Sequence, residues 1–223
     1  RAALKPLIAE LDALMPQVFS TNRVYFGEHR LGKLLESLLF SPTAAGRDFA
    51  VARVDALARE APRAIDWSAV PEAPSARGVF LRDLLIRAKK HEEVSAAVLK
   101  RLDRVYPKLS GLALAEASYA MLRAGVIVPD ELGARVKGEG AADVIALALL
   151  FAGHDESLLW KYLAADALYA QAASRAKEPG LKKVLEGHLK VGELFRGMVQ
   201  TNELVFKFSD AVKPEQRKEE GQR

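Results

Sequence analysis

The chain has 223 residues, half of them hydrophobic, enough to bury a sizeable core in one elongated domain or two small ones. It has no cysteine, which excludes disulfides, thiolate metal sites and cysteine nucleophiles. Lys and Arg (33) barely outnumber Asp and Glu (29), so a net charge of +4 permits a nucleic-acid or acidic partner without requiring one. Ala and Leu dominate while aromatic residues make up only 7%, a balance that favours helix over sheet. No apolar run reaches the roughly 18 residues of a spanning helix, and Arg1 to Met15 has no apolar signal-peptide core.

Leu4, Leu7, Ile8, Leu11, Leu14 and Met15 recur at three- and four-residue steps and predict a first amphipathic helix. Leu34, Leu35, Leu38 and Leu39 predict a second over 31–40, and Phe49, Val51, Val54 and Leu57 a third over 45–59. The stretch APRAIDWSAVPEAPSARG is rich in Pro and Ser and reads as a linker. Helices are then expected over 79–90, 94–105, 112–124 and 130–136. Ser110 is a plausible N-cap, and Pro129 opens the short helix with acids in its first turn. Residues 141–152 are apolar almost all round, so this helix should be central. GHDES reads as a turn, with Asp155 and Glu156 capping a helix from Leu158 to about Lys177. EPG ends that helix, and a longer one runs over 181–208. No segment alternates long enough to make a strand.

The expected fold class is all-α: stacked helix–turn–helix repeats in an α-solenoid-like array, ending in a long antiparallel helical hairpin. The expected organisation is N-terminal helices over 1–61 and a Pro-rich linker over 62–78. A helical-repeat region over 79–177 and a long C-terminal helix over 178–210 follow, with a disordered charged tail over 211–223. The repeat reading rests on three similar joints: Ile86-Arg87-Ala88, Leu122-Arg123-Ala124-Gly125 and Leu150-Phe151-Ala152-Gly153. Each is followed by a polar turn and an acid-led segment. Such units cannot bury their apolar faces alone and must stack. Their unequal spacing leaves an ordinary helical bundle open as the other reading.

The stretch LALAEASYAMLRAGVIVPDEL, with LLFAGHDESLLWKYLAADAL after it, resembles the degenerate repeats of organellar RNA-binding proteins of the FAST-kinase-domain and octotricopeptide families. The likeness covers about residues 80–173. Ala113, Ala120 and Gly125 match the first helix of the repeat, and Leu132 and Val136 match part of the second. No nuclease-like C-terminal module of those families is recognisable, so catalysis does not carry over. The resemblance implies residence in the mitochondrial matrix and a place in an RNA-handling assembly.

Catalytic, metal and cofactor sites are expected to be absent. His29, His91, His154 and His188 have no partner three or four residues away, GARVKGEG lacks the ending of a phosphate loop, and no serine sits in a nucleophile elbow. Between Arg82 and Lys108, eight basic residues face four acidic ones. Within that stretch Arg87, Lys89, Lys90, Lys100, Arg101, Arg104 and Lys108 form a candidate patch for RNA or an acidic partner, with Tyr106 as a stacking ring. A simple solvated face is the third reading. On the last helix, Phe195, Met198, Val199, Val205, Phe206 and Phe208 offer more apolar surface than one neighbour needs, which points to a protein-docking site. The expected function is a non-catalytic scaffold subunit of an RNA-handling assembly, with other protein subunits and single-stranded or ribosomal RNA as partners. The alternative is a structural subunit of a respiratory or ATP-synthase complex without RNA contact.

Overall fold

The computed structural model describes the backbone of residues 45–60, 64–159 and 161–211, and the side chains of these except 45, 56–60, 195 and 199–211. The helices expected over 4–15 and 31–40, and the tail from 212 onward, lie outside the described residues. The described residues form helices joined by turns and a linker, and no strand occurs among them.

Helix α1 spans Ala45–Glu60, and α2 spans Ala76–Ala88 after the linker. The α2 helix starts three residues before the apolar spacing suggests, because Ser75 caps it and accepts a hydrogen bond from the Arg77 N–H at 3.3 Å. Helix α3 follows at Glu92–Val105, with Glu92 and Glu93 in its first turn. A short 3₁₀ turn, Tyr106–Lys108, leads to α4 at Gly111–Arg123. Ser110 stands at the N-cap position of α4 but makes no side-chain capping bond.

Helix α4 ends as its sequence suggests. Gly125 takes a left-handed conformation (φ +60°). Its N–H bonds the Leu122 carbonyl, and the Val126 N–H bonds the Met121 carbonyl, both at 2.9 Å. Pro129–Glu131 form another 3₁₀ turn, in which the Glu131 carboxylate accepts from the Val128 N–H at 3.1 Å. The short α5 covers Leu132–Arg135, α6 Ala141–Leu158, α7 Tyr162–Arg175 and α8 Pro179–Ala211.

Two sequence expectations are corrected here. GHDES is no turn: α6 runs through it to Leu158. Gly153 sits inside the helix, where a Cβ would lie 2.5 Å from the Tyr169 ring, so glycine admits α7 rather than ending α6. Asp155 and Glu156 therefore do not cap the following helix; they point inward from α6 and pair with arginines. The third of the three similar joints is thus not a joint. The second correction concerns Tyr106, which is buried with its hydroxyl 2.7 Å from Ser118 Oγ and offers no ring for stacking.

In space α2 packs on α4, α4 on α6, α6 on α7 and α7 on α8, while α1 packs on α3. The centre is α6, whose residues from Val144 to Gly153 are all buried. Phe151 meets Tyr119 of α4 edge-on at 6.0 Å, both fully buried. Each large side chain so placed contributes about 1.5–3 kcal/mol by leaving water. Small residues let the layers close: a Cβ on Gly78 would press on Glu116 at 3.1 Å, and Ala113, Ala115, Ala117 and Ala120 line the buried face of α4.

Candidate functional site

The basic residues are spread over two helices and the turns that follow them. Arg87 lies at the end of α2, with Lys89 and Lys90 just beyond it, whereas Lys100, Arg101 and Arg104 lie in the second half of α3 and Lys108 in the turn beyond. Lys89 Nζ donates to the Gly125 carbonyl at 3.1 Å and so holds the end of α4. Arg101 Nε donates to Asp55 Oδ1 of α1 at 2.5 Å. This pair raises the Arg101 pKa by its hydrogen bond and charge, and ties α3 to α1 rather than freeing a cation. Lys100, Arg104 and Lys108 are exposed, with Asp103 beside them at 3.5 Å from Arg135.

On α8 the described part of the apolar set is Met198, which is 61% exposed. The side chains of Phe195, Val199, Val205, Phe206 and Phe208 lie outside the described ones. Val191 (50% exposed) and Leu194 (70%) stand beside Met198. Val191, Leu194 and Met198 repeat at three and four residues and share a face. The opposite face of α8 meets α7: Leu181 and Leu185 are buried, a Cβ on Gly192 would strike Asp166, and Arg196 Nη1 lies 2.9 Å from Asp166 Oδ2.

The strongest polar cluster is internal and joins three helices. Asp155 of α6 accepts from Tyr119 Oη of α4 and from Arg82 Nη1 of α2, both at 2.7 Å. Arg123 Nε of α4 lies 3.3 Å from the same carboxylate, and Arg123 also pairs with Glu156. Arg82 holds a second acid, Asp83, at 2.8 Å. Burial alone would lower the Arg82 pKa, but Tyr119, Asp83 and Asp155 more than reverse it, so the guanidinium stays charged. Burial first, and then Asp155, drives the Tyr119 pKa far up, so its hydroxyl remains a donor. Two guanidinium groups and three carboxylates so paired fasten α2, α4 and α6 to one another. A second buried acid, Asp143, accepts the Lys177 and Glu178 N–H groups at 2.5 and 2.9 Å and so caps the start of α8 from α6.

A second cluster lies where the linker crosses α8. His188 stacks on Tyr169 of α7 at 4.6 Å, and its Nε2 lies 3.3 Å from Glu72 Oε2, close enough for an ion pair but without the alignment of a hydrogen bond. His154 of α6 sits within the field of His188 and Glu72; burial, the largest influence, lowers its pKa. Burial, helped by Glu72, pushes the Tyr169 pKa up to about 12, so that hydroxyl is no base at neutral pH. A groove of about 620 Å³ opens beside the cluster, lined by Val70, Glu72, Lys183, Val184, His188 and Val191 among others. No three acidic or histidine groups converge to hold a metal among the described residues. What the arrangement does is press residues 64–75 onto α8: a Cβ on Gly180 would lie 2.0 Å from the Trp67 carbonyl oxygen.

Sequence reading passed over Arg82, Tyr119, Asp143 and Asp155 as a set, and their separations of dozens of residues leave no local signal. Among the described residues, no helix is long and apolar enough to cross a membrane. No family model, no curated protein and no solved structure matches this chain.

Proposed function

We propose that the chain is a non-catalytic helical-repeat scaffold, a subunit of a mitochondrial RNA-handling assembly. The observation that carries the repeat reading is the regular return of one layer. Helices α2, α4 and α6 end at residues 88, 123 and 158, 35 apart in both steps, and each packs on the next. Gly78, Ala113 and Ala148 fall at matching positions in that period and are all buried. A unit of this length is one helical pair, too small to bury its own face, so stacking is its route to stability. The RNA part of the reading rests on the resemblance of residues 80–173 and on the exposed Lys100, Arg104 and Lys108, each able to meet a backbone phosphate.

The test is a titration with single-stranded RNA across salt. Binding should weaken steadily as salt rises. Lys100→Glu/Arg104→Glu should reduce the affinity, and should reduce the salt slope by about one for each phosphate no longer held. No binding at low salt, or an unchanged slope in the variant, sinks the RNA reading. That result would favour the alternative, a structural subunit of a respiratory or ATP-synthase complex, for which the exposed apolar face of α8 is the specific support.

A further inference from the structure

Residues 64–75 lie across α8 as a strap whose two halves are held differently. In the first half Ile65, Trp67 and Val70 pack on the core, and the Trp67 carbonyl lies against Gly180. In the second half Pro71 and Pro74 break any helix, and Glu72, Ala73 and Ser75 are exposed. No backbone hydrogen bond joins the strap to α8 among the described residues. The Ser75 N–H is held by Glu116 of α4 at 2.8 Å, so the far end is tied to a different helix. Between these points the strap meets α8 through Glu72 and His188, beside the groove.

The surroundings of His188 suit its charged form only while the strap is down. Its ring stacks on Tyr169 at 4.6 Å and 23° from parallel, which fixes where Nε2 points. Nε2 is buried and lies 3.3 Å from Glu72 Oε2 without the alignment of a hydrogen bond. A neutral imidazole therefore gains little from Glu72. An imidazolium sets a full positive charge against the carboxylate, over an aromatic ring that also favours a cation. With the strap lifted, the same imidazolium would face His154 with no carboxylate to offset it.

We propose that His188 and Glu72 form a proton-operated latch, which draws the strap onto α8 as pH falls through the histidine range and loosens it as pH rises. The hold follows the imidazolium, present on the acid side of about pH 6.5 and gone by about pH 8. The other groups around His188 leave this direction unchanged. From α7, the Tyr169 hydroxyl stays protonated at neutral pH. Asp155 of α6 and Asp166 of α7, whose charges reach Tyr169, are engaged by Arg82 and Arg196. His154 of α6 would repel the imidazolium, but burial holds its pKa below the ordinary 6.5 and delays its own charging. On α8 itself Lys183, Glu186 and Lys190 are exposed and screened by solvent. The latch does not depend on RNA binding, and its failure would leave the scaffold reading standing.

The test is hydrogen exchange of residues 64–75 in the full chain, read by mass spectrometry from pH 6 to pH 8 and corrected for the chemical exchange rate at each pH. Glu72 is largely exposed, so the pair is worth no more than a surface ion pair, and the strap should open about two- to fivefold less often at pH 6 than at pH 8. Glu72→Gln should abolish that difference, and so should His188→Gln. Exchange over 144–153 in the centre of α6 should be the same in Glu72→Gln as in the parent at each pH, which separates strap opening from global unfolding. His188→Gln also disturbs the Tyr169 stack, so Glu72→Gln, made at an exposed side chain, decides the matter. Equal protection of the parent strap at pH 6 and pH 8 overturns the proposal. A pH difference that survives Glu72→Gln overturns it as well.

Discussion

Replacing Asp155 with Ala tests whether the internal cluster fastens the α2–α4–α6 layer. The change removes the acceptor of the Tyr119 hydroxyl and the shared partner of two guanidinium groups. Breaking a buried pair by deleting one partner costs about 3–5 kcal/mol. Arg82 retains Asp83 and Arg123 retains Glu156, so the lower end applies, about 3 kcal/mol. For a chain of this size that loss lowers Tm by about 6–12 °C, read by thermal melting and by urea unfolding at constant slope. Asp155→Asn keeps an acceptor for Tyr119 but not the charge, and should cost about half as much, near 1.5 kcal/mol. Arg82→Met/Asp155→Leu, which removes both charges and refills the space, should be milder than Asp155→Ala. Asp103→Asn is the control: its pair with Arg135 is long and exposed, and its loss should stay within about 0.5 kcal/mol. If Asp155→Ala costs less than about 1 kcal/mol, or no more than the Asp103 control, the cluster is not what joins the three helices.

Gly180→Ala sets a Cβ against the Trp67 carbonyl, a backbone atom that no rotamer change can move, so the linker should lift from α8. We expect a loss of about 1–3 kcal/mol and faster proteolysis within residues 64–75, whereas Gly187→Ala, with open space around it, should stabilise the helix by about 0.5–1 kcal/mol. Glu116 is buried, and burial raises its pKa above the ordinary 4.5 despite the Ser75 N–H it accepts at 2.8 Å. A raised carboxyl contributes its stability below the unfolded value and loses it as pH climbs through the folded one. Glu116→Gln should therefore melt higher than the parent at pH 7, with the advantage shrinking as pH falls to 4.5; a constant difference across that range would contradict it. His154 works in the opposite sense: burial depresses its pKa, so its neutral form supports the fold above the ordinary imidazole value of 6.5 and that support is lost as pH falls through the folded value. His154→Gln should flatten the loss of stability on acidification from about pH 7, as followed by urea midpoints.

Where helices form and stop was largely written locally. Leucine and alanine spacing marks α2 to α4, Gly125 and Pro129 punctuate the joint after α4, and the apolar run from Val144 announces the central helix. These signals act over one or two turns, because periodicity, capping and left-handed glycine are properties of neighbouring residues. Gly153 and the acids after it misled for the same reason. Next to one another they carry the signature of a turn, and only the arrival of Tyr169, Arg82 and Arg123 from other helices makes them helix interior. Tyr106 and Arg101 looked available for a ligand until Ser118 and Asp55 came to meet them. The sequence by itself determined that the described chain is helical, and where most helices begin and end. The tertiary structure decided which charges are spent inside, which basic residues remain outside, and which face of α8 is left uncovered, because burial and ion pairing depend on residues dozens of positions apart.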